Sequence, residues 1–80
     1  MHELGVLTQV VRTVSRIADQ NKITKIKHIT LDVGSESSFV PVFLEKLYPV
    51  AIDQITLLKD SKLIIRMIPG TGLQIKDIGY

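Results

Sequence analysis

The first three residues of the chain, Met1, His2 and Glu3, place several metal ligands next to one another. The Met1 amine, the backbone nitrogens of His2 and Glu3 and the His2 imidazole can surround a d-block cation in one plane. The Glu3 carboxylate offers a further oxygen. A planar, nitrogen-rich donor set suits Ni(II) or Cu(II), and because Cu(II) binds more tightly, geometry and cellular supply must decide between them.

The same three residues also have a simpler interpretation. Short motifs often match by chance, and a histidine at position 2 can be an ordinary residue of a solvated terminus. Glu3 suits the first turn of a helix, where a carboxylate stabilises the positive end of the macrodipole. We expect Met1 to be retained, since His2 is too large for the usual removal of the initiator methionine, and we expect nothing to bury the three side chains.

Composition restricts the class of protein and of metal site. The chain has 80 residues, of which 45% are hydrophobic and 22% are charged, and this predicts one small globular domain over residues 1–80. There is no Cys, which excludes disulfides and thiolate nucleophiles. With only His2 and His28 as imidazoles, the residues present cannot build a closed Cys/His zinc site. Zinc is therefore not expected to contribute to the fold.

Membranes and nucleic acids are not expected as partners. No apolar run approaches the roughly 20 residues of a membrane span, and no signal peptide is recognisable, so we expect a soluble, cytoplasmic protein. The net charge is only +2, and the basic residues have no interleaved aromatic side chains, which disfavours nucleic-acid binding. These basic residues are scattered along the sequence and include Arg12, Arg16, Lys22, Lys25, Lys27 and Lys62.

The chain also lacks the patterns of known catalytic sites. It has no Cys nucleophile, no glycine-rich phosphate loop and only two histidines. Ser37 and Ser38 have no general base nearby in a motif and are better explained as helix caps. We therefore do not expect an enzyme.

The first predicted element is an amphipathic helix. Apolar residues recur at intervals of three and four from Leu4 to Ala18, which predicts a helix from about Glu3 to Gln20. Arg12 and Arg16 fall on its polar side. They are candidate contacts for a protein partner, and simple solubility is the alternative explanation.

The next element is a strand with one buried face. From Ile23 to Val33 the apolar residues alternate with polar ones, as in a half-buried strand. The predicted exposed face carries His28, Thr30 and Asp32. We interpret His28 as a solvated surface residue and not as a metal ligand.

A second helix is predicted to begin near Phe39, with Pro41 tolerated in its first turn. Because Pro49 cannot donate a helical hydrogen bond, the helix should bend or end near Tyr48, followed by a short helical segment to about Ile55. The predicted apolar face consists of Phe43, Leu44, Leu47 and Ala51.

Two strands are predicted at the end of the sequence, over residues 62–68 and 73–78. Residues 69–72, Pro-Gly-Thr-Gly, are turn formers, so the two strands should pair as an antiparallel hairpin. Alternatively, a short link can leave the last strand to exchange between two copies, giving a homodimer. The predicted fold is α+β, with two helices on a three-stranded sheet in the order α-β-α-β-β.

This order and the terminus resemble the nickel-incorporation proteins of hydrogenase maturation, the HypA/HybF type. The resemblance spans essentially the whole chain, and Met-His-Glu is its most specific part. It is carried by Met1 to Leu4, by Ile29 to Gly34, by Val40-Pro41 opening the second helix, and by the segments 63–69 and 73–78.

The resemblance implies a Ni(II) site at Met1, His2 and Glu3. It implies delivery of nickel to the large subunit of a hydrogenase, or sometimes to a urease, together with a nickel-handling GTPase. The family carries a zinc domain with two Cys-x-x-Cys pairs between the last two strands, where this sequence has only residues 69–72. The turn after the first strand also differs from the usual Gly-Glu-Leu-Ser-Gly. The alternative is a non-metal interaction domain that lacks the zinc module.

Overall fold

The computed structural model describes residues 2–80; Met1 lies outside the described residues. The elements are α1 (Glu3–Gln20), β1 (His28–Gly34), α2 (Pro41–Ala51), a 3-10 helix (Thr56–Leu58), β2 (Lys62–Ile68) and β3 (Leu73–Gly79). The predicted α+β class and its order are confirmed, as are the bounds of α1 and β2. β1 begins later than predicted, at His28 instead of Ile23. In this part of the chain, no helix is long and apolar enough to cross a bilayer.

β1 occupies the centre of the sheet. It pairs in parallel with β2 and antiparallel with β3, so the strand order is β2-β1-β3. The predicted hairpin of residues 62–68 and 73–78 is therefore wrong, because β1 lies between these strands. Burial fits the arrangement: Ile29, Leu31 and Val33 of the central strand have no exposed surface, whereas no residue of β2 or β3 is buried.

The link 69–72 crosses the end of β1. Four extended residues reach about 13 Å, which is enough for the roughly 10 Å of two strand spacings. Gly70 and Gly72 have φ of 99° and 89°, a backbone region that favours glycine. Three N–H groups at the end of β1 donate to this crossing: Gly34 to the Gly72 carbonyl at 2.8 Å, Ser35 to Ile68 at 2.7 Å and Glu36 to Gly70 at 2.9 Å.

The core lies between the sheet and the two helices. The buried apolar side chains of the helices are Leu7, Val10, Val11, Val14 and Ala18 of α1 and Leu44 and Tyr48 of α2. Three apolar residues of the helices are exposed, contrary to prediction: Leu4 is 41% exposed, Ile17 is 37% exposed and Phe43 is 46% exposed. They flank the buried stripe because each helical residue turns the direction by about 100°.

The start of α2 differs from the prediction. It begins at Pro41 and not near Phe39. A residue before proline is driven towards an extended backbone, and Val40 has φ −102° and ψ 114°. The Val40 N–H donates to the Glu3 carboxylate at 3.0 Å, so this residue ends the loop and does not extend the helix.

The end of α2 also differs. The helix continues through Pro49 to Ala51, beyond the predicted end near Tyr48. Proline removes one helical hydrogen bond, but Tyr48 is 4% exposed and its hydroxyl lies 2.7 Å from the Ser61 Oγ. The buried Tyr48 and its hydroxyl contact stabilise this last turn despite the lost bond. After α2 the chain forms a 3-10 helix over Thr56–Leu58. This element replaces the predicted short helical segment to about Ile55.

The outer face of β1 is more covered than predicted. Thr30 is only 6% exposed, because neighbouring strands flank it on both sides. Asp32 Oδ1 lies 3.4 Å from the Arg66 Nε, and His28 Nε2 lies 3.5 Å from the Asp77 Oδ1. Cross-strand contacts between polar side chains therefore occupy a face that the alternation alone assigned to solvent.

The crossing at Gly34 predicts the effect of a substitution. A Cβ at Gly34 would clash with the Gly70 carbonyl oxygen, whereas a Cβ at Gly5 would meet no atom within 4 Å. Gly34→Ala should lower the free energy of unfolding by about 1–3 kcal/mol through overpacking. The control Gly5→Ala should be neutral or stabilise α1 by up to about 1 kcal/mol. Urea denaturation measures both, and equal midpoints for the two variants would contradict the close crossing.

Candidate metal site

His2 directly precedes α1. Its backbone has φ −112° and ψ 47°, and its side chain makes no capping hydrogen bond. The His2 carbonyl accepts the first helical hydrogen bond, from the Val6 N–H at 3.0 Å. The side chain is exposed. The imidazole therefore lies at the surface, next to the backbone nitrogens of the first turn of α1.

The backbone nitrogens of the first turn have no helical acceptors. The first four N–H groups of any α-helix lack a partner within that helix. For α1, which begins at Glu3, this includes the Glu3 N–H, which instead donates a hydrogen bond to the Glu3 carboxylate. A metal that displaces the proton from this nitrogen therefore breaks no bond of the helical ladder.

Glu3 is buried, contrary to the prediction. It is 4% exposed, and its Oε2 accepts a hydrogen bond from the Val40 N–H at 3.0 Å, across 37 residues of sequence. This bond lowers the pKa of Glu3 below its ordinary 4.5, against the opposing effect of burial, and the Glu3 backbone N–H lowers the pKa further. Glu3 thus connects the start of α1 to the residue that precedes α2.

The described residues supply only part of the predicted donor set. His2 and Glu3 are adjacent at the start of α1, while the Met1 amine lies outside residues 2–80. Within that range, no group of three His, Cys, Asp or Glu side chains is arranged to hold a metal. A site at this terminus would therefore use mainly backbone nitrogens and the His2 imidazole.

The other candidate residues lie elsewhere. Arg12 and Arg16 are exposed on α1, as the helical pattern predicts. His28 begins β1, where its Nε2 lies 3.5 Å from the Asp77 Oδ1. The sequence did not predict the role of Val40. A residue before proline is expected to have an extended backbone, but the contact between Val40 and Glu3 depends on the tertiary fold.

The Glu3 contact predicts an order of stability. Glu3→Gln keeps an oxygen that can accept the Val40 N–H but removes the charge, whereas Glu3→Ala leaves this N–H without that acceptor. The melting temperature at neutral pH should fall from the native chain to Glu3→Gln and further to Glu3→Ala. Thermal melts monitored by circular dichroism measure this order.

The pH dependence follows from the lowered pKa of Glu3. Because the pKa is lower in the folded state, the charge stabilises the fold fully above the unfolded value and loses its effect as pH falls through the folded value. The difference in melting temperature between the native chain and Glu3→Gln should therefore shrink in acid. A difference that stays constant from neutral to acidic pH would contradict this role for the charge.

Known proteins share both the sequence pattern and the fold. Residues 1–73 match the family described as hydrogenase/urease nickel incorporation, metallochaperone, hypA. The hydrogenase maturation factor HypA of Methanosarcina barkeri is 35% identical over 69 residues, which cover 86% of this chain and 51% of that protein. HypA of Methanocella arvoryzae is 35% identical over 72 residues, covering 90% of this chain and 63% of that protein. The chain thus spans between about a half and two thirds of these relatives.

A solved structure has the same fold. The solution structure of the Ni metallochaperone HypA from Helicobacter pylori superposes with a TM-score of 0.89 at 13% identity, covering 99% of this chain and 97% of that one. The family is one of metallochaperones, which confirms the expectation that the chain is not an enzyme. The resemblance noted in the sequence is confirmed, and the chain belongs to the HypA family of nickel-incorporation proteins.

Proposed function

We propose that this chain binds Ni(II) at its N-terminus and delivers it, as a metallochaperone, during maturation of nickel enzymes. The observation that carries the proposal is the position of His2. Its exposed imidazole directly precedes α1, beside a first-turn nitrogen that the helical ladder does not use. Membership of a nickel-incorporation family supports nickel as the cargo.

In this proposal the ligands are the Met1 amine, the backbone nitrogens of His2 and Glu3, and the His2 imidazole. Four nitrogens in a plane suit a d-block ion such as Ni(II). The Glu3 carboxylate already accepts the Val40 N–H, so we assign it to holding the terminus in place and not to completing the plane. Met1, His2 and Glu3 thus all take part, with Glu3 contributing its backbone nitrogen to the metal.

Such a site is suited to transfer. Binding requires the backbone nitrogens and the imidazole to lose protons, so affinity rises with pH, and reprotonation favours release. Only one side chain, His2, is a ligand, and it is exposed. An acceptor protein can therefore approach the ion without opening the core.

Nickel titration tests the proposed ligands. One nickel per chain should give the yellow absorption of a square-planar complex, and the band should strengthen as pH rises. His2→Ala should abolish the band, and an uncleaved N-terminal tag should do the same because it converts the amine to an amide. His28→Ala is the matched control and should bind as the native chain does. Binding that survives both His2→Ala and the tag would place the nickel elsewhere.

We further propose partners for this delivery in the cytoplasm. The acceptor is the large subunit of a [NiFe] hydrogenase, or a urease, which the family description also includes. A nickel-handling GTPase docks on α1. Arg12 and Arg16 support this docking surface, because both are exposed and residues four apart lie on the same side of a helix.

Reversing these two charges tests the docking surface. Arg12→Glu combined with Arg16→Glu should weaken capture of a nickel-handling GTPase by about tenfold or more, since like charges placed across an interface repel. Lys46→Glu, an exposed basic residue on α2, is the control and should have little effect. A pull-down in which the double variant captures as much GTPase as the control would exclude this face of α1.

A further inference from the structure

Four lysines that are separated in sequence converge on one concavity at the beginning of β1. The concavity has a volume of about 430 Å³, and its lysines are four of the ten basic residues of the chain. It is lined by Lys25, Ile26, Lys27, His28, Lys59, Asp60, Lys62 and Ile64. The basic residues therefore form a local cluster that their spacing in the sequence does not reveal.

Hydrogen bonds hold the segments that carry these lysines. The Lys27 N–H donates to the Gly79 carbonyl at 2.7 Å, and the Lys62 N–H donates to the Lys27 carbonyl at 3.0 Å. The Lys25 Nζ donates to the Lys59 carbonyl at 2.6 Å. The backbone around the cluster is thus held in place. Binding of a ligand therefore avoids the cost of bringing these segments together.

The cluster has an excess of positive charge. Asp60 is the one carboxylate residue in the lining, and within residues 2–80 none of the four lysines forms an ion pair with a carboxylate. Charges of one sign around a concave surface focus the electric field and attract an oppositely charged partner. The fold therefore gathers four lysines against a single carboxylate in this lining.

The same surface has an apolar component. Ile64 is 44% exposed and lies in the wall beside the lysines. The lining contains no Phe, Tyr or Trp on which bases could stack. The surface is also concave, whereas a helix that binds a membrane surface inserts a projecting apolar face. Positive charges around one exposed isoleucine fit an acidic protein segment that also carries an apolar side chain.

The concavity lies away from the proposed nickel terminus. His2 precedes α1, and Lys25 comes shortly after its end. The 18 residues of α1 span about 27 Å at 1.5 Å per residue. A protein bound at the lysines would therefore leave the terminus uncovered.

We propose that this lysine concavity docks an extended acidic segment of a partner protein, whose carboxylates pair with Lys27 and Lys62 while an apolar side chain packs on Ile64. This docking does not depend on nickel. It also differs from the docking surface at Arg12 and Arg16. The partner is defined by its chemistry: several carboxylates next to an exposed aliphatic residue.

A labelled peptide tests the proposal with the full chain. The probe is a fluorescein-labelled peptide in which glutamates flank a central leucine, and the matched probe has glutamine at each glutamate. Lys27→Glu combined with Lys62→Glu should weaken binding of the acidic probe by about tenfold or more. Lys46→Glu combined with Lys76→Glu changes the net charge equally and should weaken it by less than about threefold, by screened long-range attraction alone. Ile64→Ser should weaken binding of the acidic probe as well. Fluorescence anisotropy measures the affinity of each variant and of the native chain for the two probes.

Three results would overturn the proposal. Equal losses in the two double variants would mean that only net charge matters, and equal binding of both peptides would mean that carboxylates are not recognised. Tighter binding of an oligothymidine, or of vesicles of phosphatidylserine and phosphatidylcholine, with the same dependence on Lys27 and Lys62 would assign the surface to another class of partner.

Folding and nickel binding are checked in the same variants. Removing mutually repelling charges should leave the melting temperature of Lys27→Glu with Lys62→Glu unchanged or higher. If that variant does not fold, Lys27→Gln with Lys62→Gln replaces it and should still lose the acidic peptide. The nickel absorption band should be unaffected in either variant, so that a failure of docking and a failure of nickel binding are observed separately.

Discussion

The central position of β1 determines the rest of the structure. Its inward side chains Ile29, Leu31 and Val33 have no exposed surface, which requires a strand on each side and the helices above. Because β2 and β3 flank it, the link 69–72 must cross its end, and Gly34 leaves room for that crossing. At the other end of β1, the same pairing joins the Lys27 carbonyl to the Lys62 N–H. The position of this one buried strand thus determines which segments meet at each of its two ends.

The two ends differ chemically. At the start of α1, the Glu3 carboxylate is held by the Val40 N–H, next to the exposed imidazole of His2. Beyond the end of α1, four lysines surround a concavity with one exposed isoleucine. In the two proposals made above, the first end would carry the ion and the second would bind an acidic segment of a partner protein. Under both proposals, the chain would remain bound to a partner while the ion is transferred.

Local patterns predicted the elements but not their partners. The sequence predicted α1 from its helical period and β2 from its runs of Ile and Leu, because both patterns depend on nearby residues. The hairpin was wrong because turn residues at 69–72 suit a crossing over a third strand as well as a direct hairpin. The burial of Glu3 and the convergence of the lysines involve segments far apart in sequence. Only the fold brings those segments together.

In the proposed site, nickel binds to backbone nitrogens at the start of α1. The most direct test is a two-dimensional ¹H–¹⁵N NMR spectrum recorded with and without Ni(II), because a square-planar nickel complex is diamagnetic and leaves nearby signals sharp. Coordination replaces the amide protons of His2 and Glu3, so their cross-peaks should disappear while that of Val40 remains. Persistent His2 and Glu3 cross-peaks in the nickel-bound protein, or changes centred on His28, would contradict nickel binding at these backbone nitrogens.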